Sequence, residues 1–316
     1  MYNLKTVFTA ISISILLLTY ISCNDDSEET ITSPIGTSET ITIEPEFITS
    51  YQNLAETDYS FYIAGHTYGK PGVDNVGVHP PFKEKFNLLN EDEFIDFGVW
   101  TGDIVWLSTE TDWNEIDTDT SLLQDTVYFA AGNHDVSNRE LFESRYGQTY
   151  SSFVHNSDLF IILDPNLDGW NISGEQLVFL QNELDTHSSQ VDNIFVFFHQ
   201  LLWWSPENIY SNVTPNSTSG RADTINFWSD IEPLFTSLPN KTYMFAGDVG
   251  AFSNGDEFMY HSYENITLIA SGMGGEERDN MVIIDVKEDK TVDFRLIALN
   301  GNDIHALGEL EAYTLE

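Results

Sequence analysis

An α/β sandwich built as one domain is the fold this sequence predicts, on three observations. Uninterrupted apolar runs, rich in β-branched and aromatic residues, recur along the chain, and several stop at a small or apolar residue followed by His, Asp or Asn. Helix-start signals stand between these runs. From Ile266 onward the pattern reads as strands alone. Helices between buried strands, followed by a strand-rich tail, is the pattern of layered α/β architecture.

The chain begins with Lys5 ahead of an apolar segment from Val7 through Leu18. That length suits a signal-peptide core and is too short to span a bilayer comfortably. The segment closes on Tyr20-Ile21-Ser22-Cys23, which resembles the lipobox of bacterial lipoproteins, with Tyr20 where an aliphatic residue is usual. The expectation is a signal peptide over 1–22 and a lipidated Cys23. The protein would then sit at the bacterial cell envelope, at the outer-membrane surface in some diderm bacteria, and touch the membrane through its lipid only. Ordinary secretion with a nearby cleavage is the alternative. Cys23 is the single cysteine, so an internal disulfide is excluded. Residues 23–55 are acidic, then rich in Ser, Thr, Glu and Ile, and read as a flexible tether. The predicted domain covers 56–316.

Of 316 residues, 51 are Asp or Glu and 12 are Lys or Arg, giving a formal charge of -39. Phosphate-backbone contacts need cations, so a nucleic-acid partner is disfavoured, as is adsorption to anionic lipid.

Within the domain, the predicted strands in order are Tyr59–Ala64, Phe94–Thr101, Thr126–Ala131, Tyr150–His155 and Leu159–Leu163, the last two split by the turn signal Asn156-Ser157-Asp158. Capping boxes at Ser137-Asn138-Arg139-Glu140 and Ser173-Gly174-Glu175-Gln176 open helices. Leu177, Leu180 and Leu184 line one face of the second. Asn193–Phe198 is an apolar strand, and a helix over Thr224–Leu238 leads to the strand Thr242–Ala246. Ile266–Ala270, Met281–Asp285 and Val292–Ala298 complete the set.

Five successive strands end in a side chain able to bind a metal: His66, Asp103, Asn133 with His134, His199 and Asp248. Strands pointing the same way would open all these ends on one edge, where α/β proteins bind ligands. Oxygen donors mixed with imidazoles suit Mn, Fe or Zn.

Gly102-Asp103, Gly132-Asn133-His134-Asp135, the helix at Gly174, the lone His199 and Gly272-Met273-Gly274-Gly275 follow one another in an order that resembles the calcineurin-like metallophosphoesterases, over roughly residues 59 to 300. That resemblance implies a four-layer αββα sandwich. It also implies phosphomonoester or phosphodiester hydrolysis with divalent metal. The family's first motif, Asp-x-His, is replaced here by His66-Thr67-Tyr68, and its last, Gly-His-x-His, by Gly247-Asp248-Val249-Gly250. One metal set thus keeps Asp103, Asn133, His199 and Asp248. The other keeps Asp103, with His66 in place of the first Asp. One well-formed metal site is expected and a second is doubtful, with His66 and Asp248 both facing the metal region. The resemblance gives His134 the task of stabilising charge or protonating the leaving oxygen, held in orientation by Asp135.

Trp203, Trp204, Tyr68 and Tyr210 are candidate rim aromatics or a buried cluster. Arg221 and Arg278 are scarce cations able to pair with phosphate or with carboxylates. His79, His155, His187, His261 and His305 fit no motif. The rival reading is a catalytically degenerate surface lipoprotein that uses the fold to bind a ligand or glycan.

Overall fold

The computed structural model describes residues 56–73, 76–252, 258–275 and 277–315. Cys23, the signal segment 1–22 and the tether 23–55 lie outside the described residues. Its first strand, β1 (Thr57–Ala64), shows why the sequence runs are so apolar: both faces are covered. Tyr59, Phe61 and Ile63 point into one core, Tyr62 and Ala64 into another. Two short helices, α1 (Pro80–Lys83) and α2 (Phe86–Glu91), precede β2 (Ile95–Trp100). Then come α3 (Glu110–Thr120), β3 (Thr126–Phe129), α4 (Arg139–Tyr146) and the hairpin β4 (Ser151–His155) and β5 (Asp158–Ile162). The long helix α5 (Gly174–His187), β6 (Asn193–Phe197), α6 (Glu232–Thr236) and β7 (Lys241–Ala246) follow. Strands β8 (Phe258–Tyr263), β9 (Ile266–Ser271), β10 (Asn280–Lys287) and β11 (Val292–Ala298) end the order.

The strands form two sheets, ordered β11-β10-β1-β2-β3 and β4-β5-β6-β7-β9-β8. In the first, β1, β2 and β3 are parallel; in the second, β5, β6, β7 and β9 are. The sheets face each other across an aromatic layer in which Phe61 meets Phe160 edge-on at 5.3 Å and Phe160 stacks on Phe195 at 4.9 Å. Each phenyl removed from water there contributes about 2–3 kcal/mol. The outer face of the second sheet packs with α5 and α6 in one apolar core, and that of the first with α1 to α4 in another. This is the four-layer αββα arrangement.

Three helix expectations are corrected. Over Thr224–Leu238 the structure has a π-turn, Phe227–Ile231, and only then α6. Pro233 lacks an N–H, so it can sit in the first turn of a new helix but cannot extend a preceding one. At α4 the cap is Asn138, which accepts from the Leu141 amide, while the Ser137 hydroxyl donates to the His134 carbonyl. At α5 the Ser173 hydroxyl donates to Asp168 and caps nothing.

Candidate metal centre

The metal-competent residues come together because parallel strands from both sheets end at one edge and their turns interlock. The His66 amide donates to Gly102 O, and the Gly247 and Asp248 amides donate to His199 O. Close approach is possible only at glycine. A Cβ on Gly247 would stand 2.0 Å from Thr101 O, and one on Gly132 would stand 2.1 Å from the Asp103 nitrogen. His66 and Asp103, each just past a strand, adopt φ of 58° and 51°, the left-handed region that non-glycine residues avoid.

His66, Asp103, His199 and Asp248 are buried together, none more than 3% exposed. His199 Nδ1 lies 2.8 Å from Thr101 O, and His66 Nδ1 lies 3.1 Å from Met273 O. A carbonyl can only accept, so both rings carry the proton on Nδ1 and turn Nε2 toward the carboxylates. His66 Nε2 is 3.7 Å from Asp103 Oδ2. His199 Nε2 is 3.4 Å from Asp103 Oδ1 and 3.7 Å from Asp248 Oδ1. Among the described residues, His199 Nε2 and Asp248 Oδ2 have no hydrogen-bond partner although fully buried.

The electrostatics follow from that geometry. Burial pushes the His199 imidazole down, but Asp103 and Asp248 outweigh it and raise it to about 10. Burial pushes Asp248 up to about 8, against the pull of His199. Burial acts upward on Asp103 too, yet His199, His66 and His134 hold it below the ordinary carboxylate range. His66 is lowered to about 4 by burial, with Asp103 opposing. The pocket therefore stabilises positive charge at a buried nitrogen set between carboxylates.

The Gly132–Asp135 loop divides its labour in a way the sequence did not suggest. Asp135 is fully buried and its carboxylate is taken up by backbone. Oδ1 accepts from the Ile104 and Val105 amides at 2.8 and 3.1 Å, and Oδ2 from the Gly132 amide at 2.7 Å. It thus ties the turn after β3 to the turn after β2. The His134 ring is instead oriented by Trp106: Nδ1 donates to the Trp106 carbonyl at 2.8 Å, and the indole stacks on the imidazole at 4.7 Å. That corrects the expected role of Asp135 as the partner of His134. The His134 amide also donates to Asp103 Oδ1 at 3.1 Å. His134 is half-buried, and among the described residues its ring makes its hydrogen bond through Nδ1 alone.

Asp103, His199 and Asp248 fit a divalent ion by donor chemistry, burial and unpartnered atoms, with His66 on the second oxygen of Asp103. Asn133 is exposed on its loop, unlike these four. As they stand, among the described residues no group of three His, Cys, Asp or Glu side chains is arranged to hold a metal ion. The well-formed site expected from sequence is therefore present as converging pairs, not as a closed shell. Tyr68, in place of a family ligand, is buried with its ring 4.2 Å from that of His66 and 5.2 Å from that of His134.

Trp106 and the carbonyls of Thr101 and Met273 were missed by sequence reasoning. No motif marks a stacking indole or a backbone acceptor. Trp203 is buried. Arg221 lies over the rings of Trp170 and Trp204, and Arg278 over those of Phe258 and Tyr313.

Residues 66–272 match the family described as Calcineurin-like phosphoesterase. No curated protein matches the sequence. Among solved structures, the chain overlays a purple acid phosphatase, PPD1, from yellow lupin (Lupinus luteus) seeds. The TM-score is 0.56 at 13% identity, over 78% of this chain and 52% of that one. A putative 5'-nucleotidase from Staphylococcus aureus overlays at 0.41 and 12% identity, over 78% and 55%. Vps29 from Chaetomium thermophilum overlays at 0.34 and 11% identity, over 76% and 95%. The match thus spans about half the length of the phosphatase and of the nucleotidase. At these identities the likeness to the phosphatase is one of fold.

Proposed function

The chain belongs to the calcineurin-like phosphoesterase family, and from that premise we propose that it hydrolyses a phosphoester with a divalent ion, Mn, Fe or Zn, held by Asp103, His199 and Asp248. The observation that carries this reading is His199. Its Nδ1 is fixed by Thr101 O, and its buried Nε2, 3.4 and 3.7 Å from two carboxylates, has no hydrogen-bond partner among the described residues. An orphaned buried pair of this kind costs free energy unless a ligand satisfies it.

The ion would supply a Lewis acid for the phosphoryl oxygen and a nucleophile at neutral pH. The rest falls to the chain. Asp103 joins the two halves of the centre by offering one oxygen toward each imidazole. His134, with Nδ1–H committed to Trp106 O, has Nε2 available to carry a proton to the leaving oxygen. Trp106 holds the plane of that ring, and Asp135 holds the loop that bears it. Anchoring belongs to the same proposal: lipidated Cys23 and the acidic tether would present the domain at the bacterial cell envelope, or the protein would be secreted. The substrate is a phosphoester of low charge density, since a chain at -39 repels polyanions.

A second reading, the catalytically degenerate binder, is favoured by one observation. Tyr68 packs against His66 where the family places a ligand, and the donors are hidden from solvent. A metal-screened assay on aryl phosphomonoesters and diesters separates the two. Hydrolysis that falls about 10²–10³-fold in His134→Ala supports the enzyme. No turnover with any metal supports the binder. Metal analysis of the Asp103→Ala/His199→Ala double variant should show the bound ion lost, and retention would sink the site.

A further inference from the structure

The carbonyl that fixes His66 belongs to a peptide group whose other end is also held. Met273 O accepts from His66 Nδ1 at 3.1 Å, and the next amide, Gly274 N–H, donates to Asp279 Oδ1 at 2.7 Å. Both contacts are made by one peptide unit. A trans peptide is planar, with its C=O and N–H pointing to opposite sides, so it is a rigid link between Asp279 and His66.

Asp279 is held in turn. It is buried, and His79 Nε2 lies 3.0 Å from its Oδ2, with Asn300 Nδ2 at 3.2 Å from the same oxygen. A carboxylate accepts, so His79 carries its proton on Nε2. His79 is buried as well, and its own amide donates at 2.8 Å to the carbonyl of Thr67, the residue after His66. The turns stack because glycine stands where they meet. A Cβ on Gly69 would stand 2.2 Å from His79 Nδ1, and one on Gly274 would stand 2.7 Å from the Gly69 carbonyl oxygen. Both glycines hold positive φ, 81° and 118°. The links close a ring from His66 through the Met273–Gly274 peptide, Asp279 and His79 to Thr67.

We propose that Asp279 is a positioning residue for His66, acting through the Met273–Gly274 peptide, and that His79 holds it there. Negative charge at the N–H polarises the peptide. Met273 O becomes a stronger acceptor and keeps the His66 proton on Nδ1. His66 then turns an unprotonated Nε2 toward Asp103, 3.7 Å away. Metal-binding imidazoles commonly give their second nitrogen to a carboxylate or to a carbonyl. Here a carboxylate works through a carbonyl. A tie that served the fold alone would fasten the two turns and leave the choice of nitrogen open. The use of this device in hydrolysis rests on the proposed metal chemistry, whereas the state of the His66 ring does not.

Long-range proton–nitrogen correlation spectra of the full chain, labelled at histidine and freed of metal by a chelator, test it at neutral pH. His66, assigned by the signals lost in His66→Gln, should show a single tautomer with the proton on Nδ1. In Asp279→Ala the ring should populate both tautomers, and Nδ1–H should exchange with solvent about tenfold faster. Asp279→Asn serves where Asp279→Ala does not fold. It keeps an oxygen for the Gly274 amide without the charge, and exchange should rise about two- to tenfold. His79→Gln, which keeps a donor for Asp279, should leave the His66 tautomer as it is, and His79→Phe should shift part of it. Titration with Zn separates the relay from the metal chemistry. Binding about tenfold weaker in Asp279→Asn supports both. A chain that binds no metal while its His66 ring still responds to Asp279 supports the relay and sinks the metal reading alone. A folded Asp279→Ala or Asp279→Asn protein with His66 ring signals and exchange unchanged would overturn the proposal.

Discussion

Asp135 and Asp248 are both buried carboxylates at the same edge of the molecule, and they are treated in opposite ways. Asp135 accepts three backbone amides from two different turns. Asp248 Oδ2 has no hydrogen bond among the described residues, and Oδ1 faces His199 at 3.7 Å, too far for one. A buried carboxylate whose oxygens are filled by backbone serves the fold. One left unfilled destabilises the fold and persists where something else satisfies it. The contrast separates the scaffold of the centre from its working part better than the sequence motif does, since the motif places Asp135 next to the catalytic histidine.

Three measurements would break or sharpen this contrast. The largest effect is expected for Asp135→Asn. The amide keeps an oxygen for two of the backbone donors but turns an NH2 toward the third, costing about 3–4 kcal/mol in chemical denaturation. A loss below 1 kcal/mol would return Asp135 to the catalytic group. Next is the pH dependence of protein freed of metal by a chelator. His199 is raised to about 10 and Asp248 to about 8, both above their values in an unfolded chain. The folded state therefore holds protons that the unfolded state has released. Their contribution is complete at low pH and lost as pH rises, from about 4 to 8 for Asp248 and from about 6.5 to 10 for His199. Stability should fall across that combined window, Asp135, raised to about 7, adding to the fall and His66, lowered to about 4, opposing it below about pH 6.5, and a flat profile would contradict the electrostatics of the centre. The smallest effect has the opposite sign. Above about pH 8, where Asp248 ionises, Asp248→Asn removes a poorly solvated charge, so the chelated protein should gain up to about 1 kcal/mol there while losing metal affinity, read by melting with and without added metal.

Much of the fold was legible because two stacked sheets demand strands that are apolar on both faces, and β1, β6, β7 and β10 are written that way. Helix α3 was not legible. Its segment Glu110–Thr120 is Asp- and Thr-rich, with only Trp113 and Ile116 as large apolar anchors, and it is started by Thr109, whose side chain accepts from the Asp112 amide. The donors His66, Asp103, His199 and Asp248 were legible as strand ends. Their convergence from two sheets, and not one, was not, because strand order is a long-range property. Partners supplied by backbone were invisible for the same reason. Trp106 O, Thr101 O and Met273 O act through the carbonyl that every residue has. Of the two readings of Tyr210, rim aromatic or buried cluster, the structure has the second: it is buried and packs against Trp228 and His261, because the excursion after His199 carries it to β8.

His66 and Asp103 hold left-handed backbone that costs about 1–2 kcal/mol apiece in a residue with a Cβ. Glycine, which has no Cβ, would relax both positions. A population of variants sorted for heat resistance alone would accordingly drift to glycine at these two positions first, discarding an imidazole and the carboxylate that links both halves of the centre. His66 and Asp103 standing in this chain at that cost is what selection on chemistry acting against selection on stability would leave.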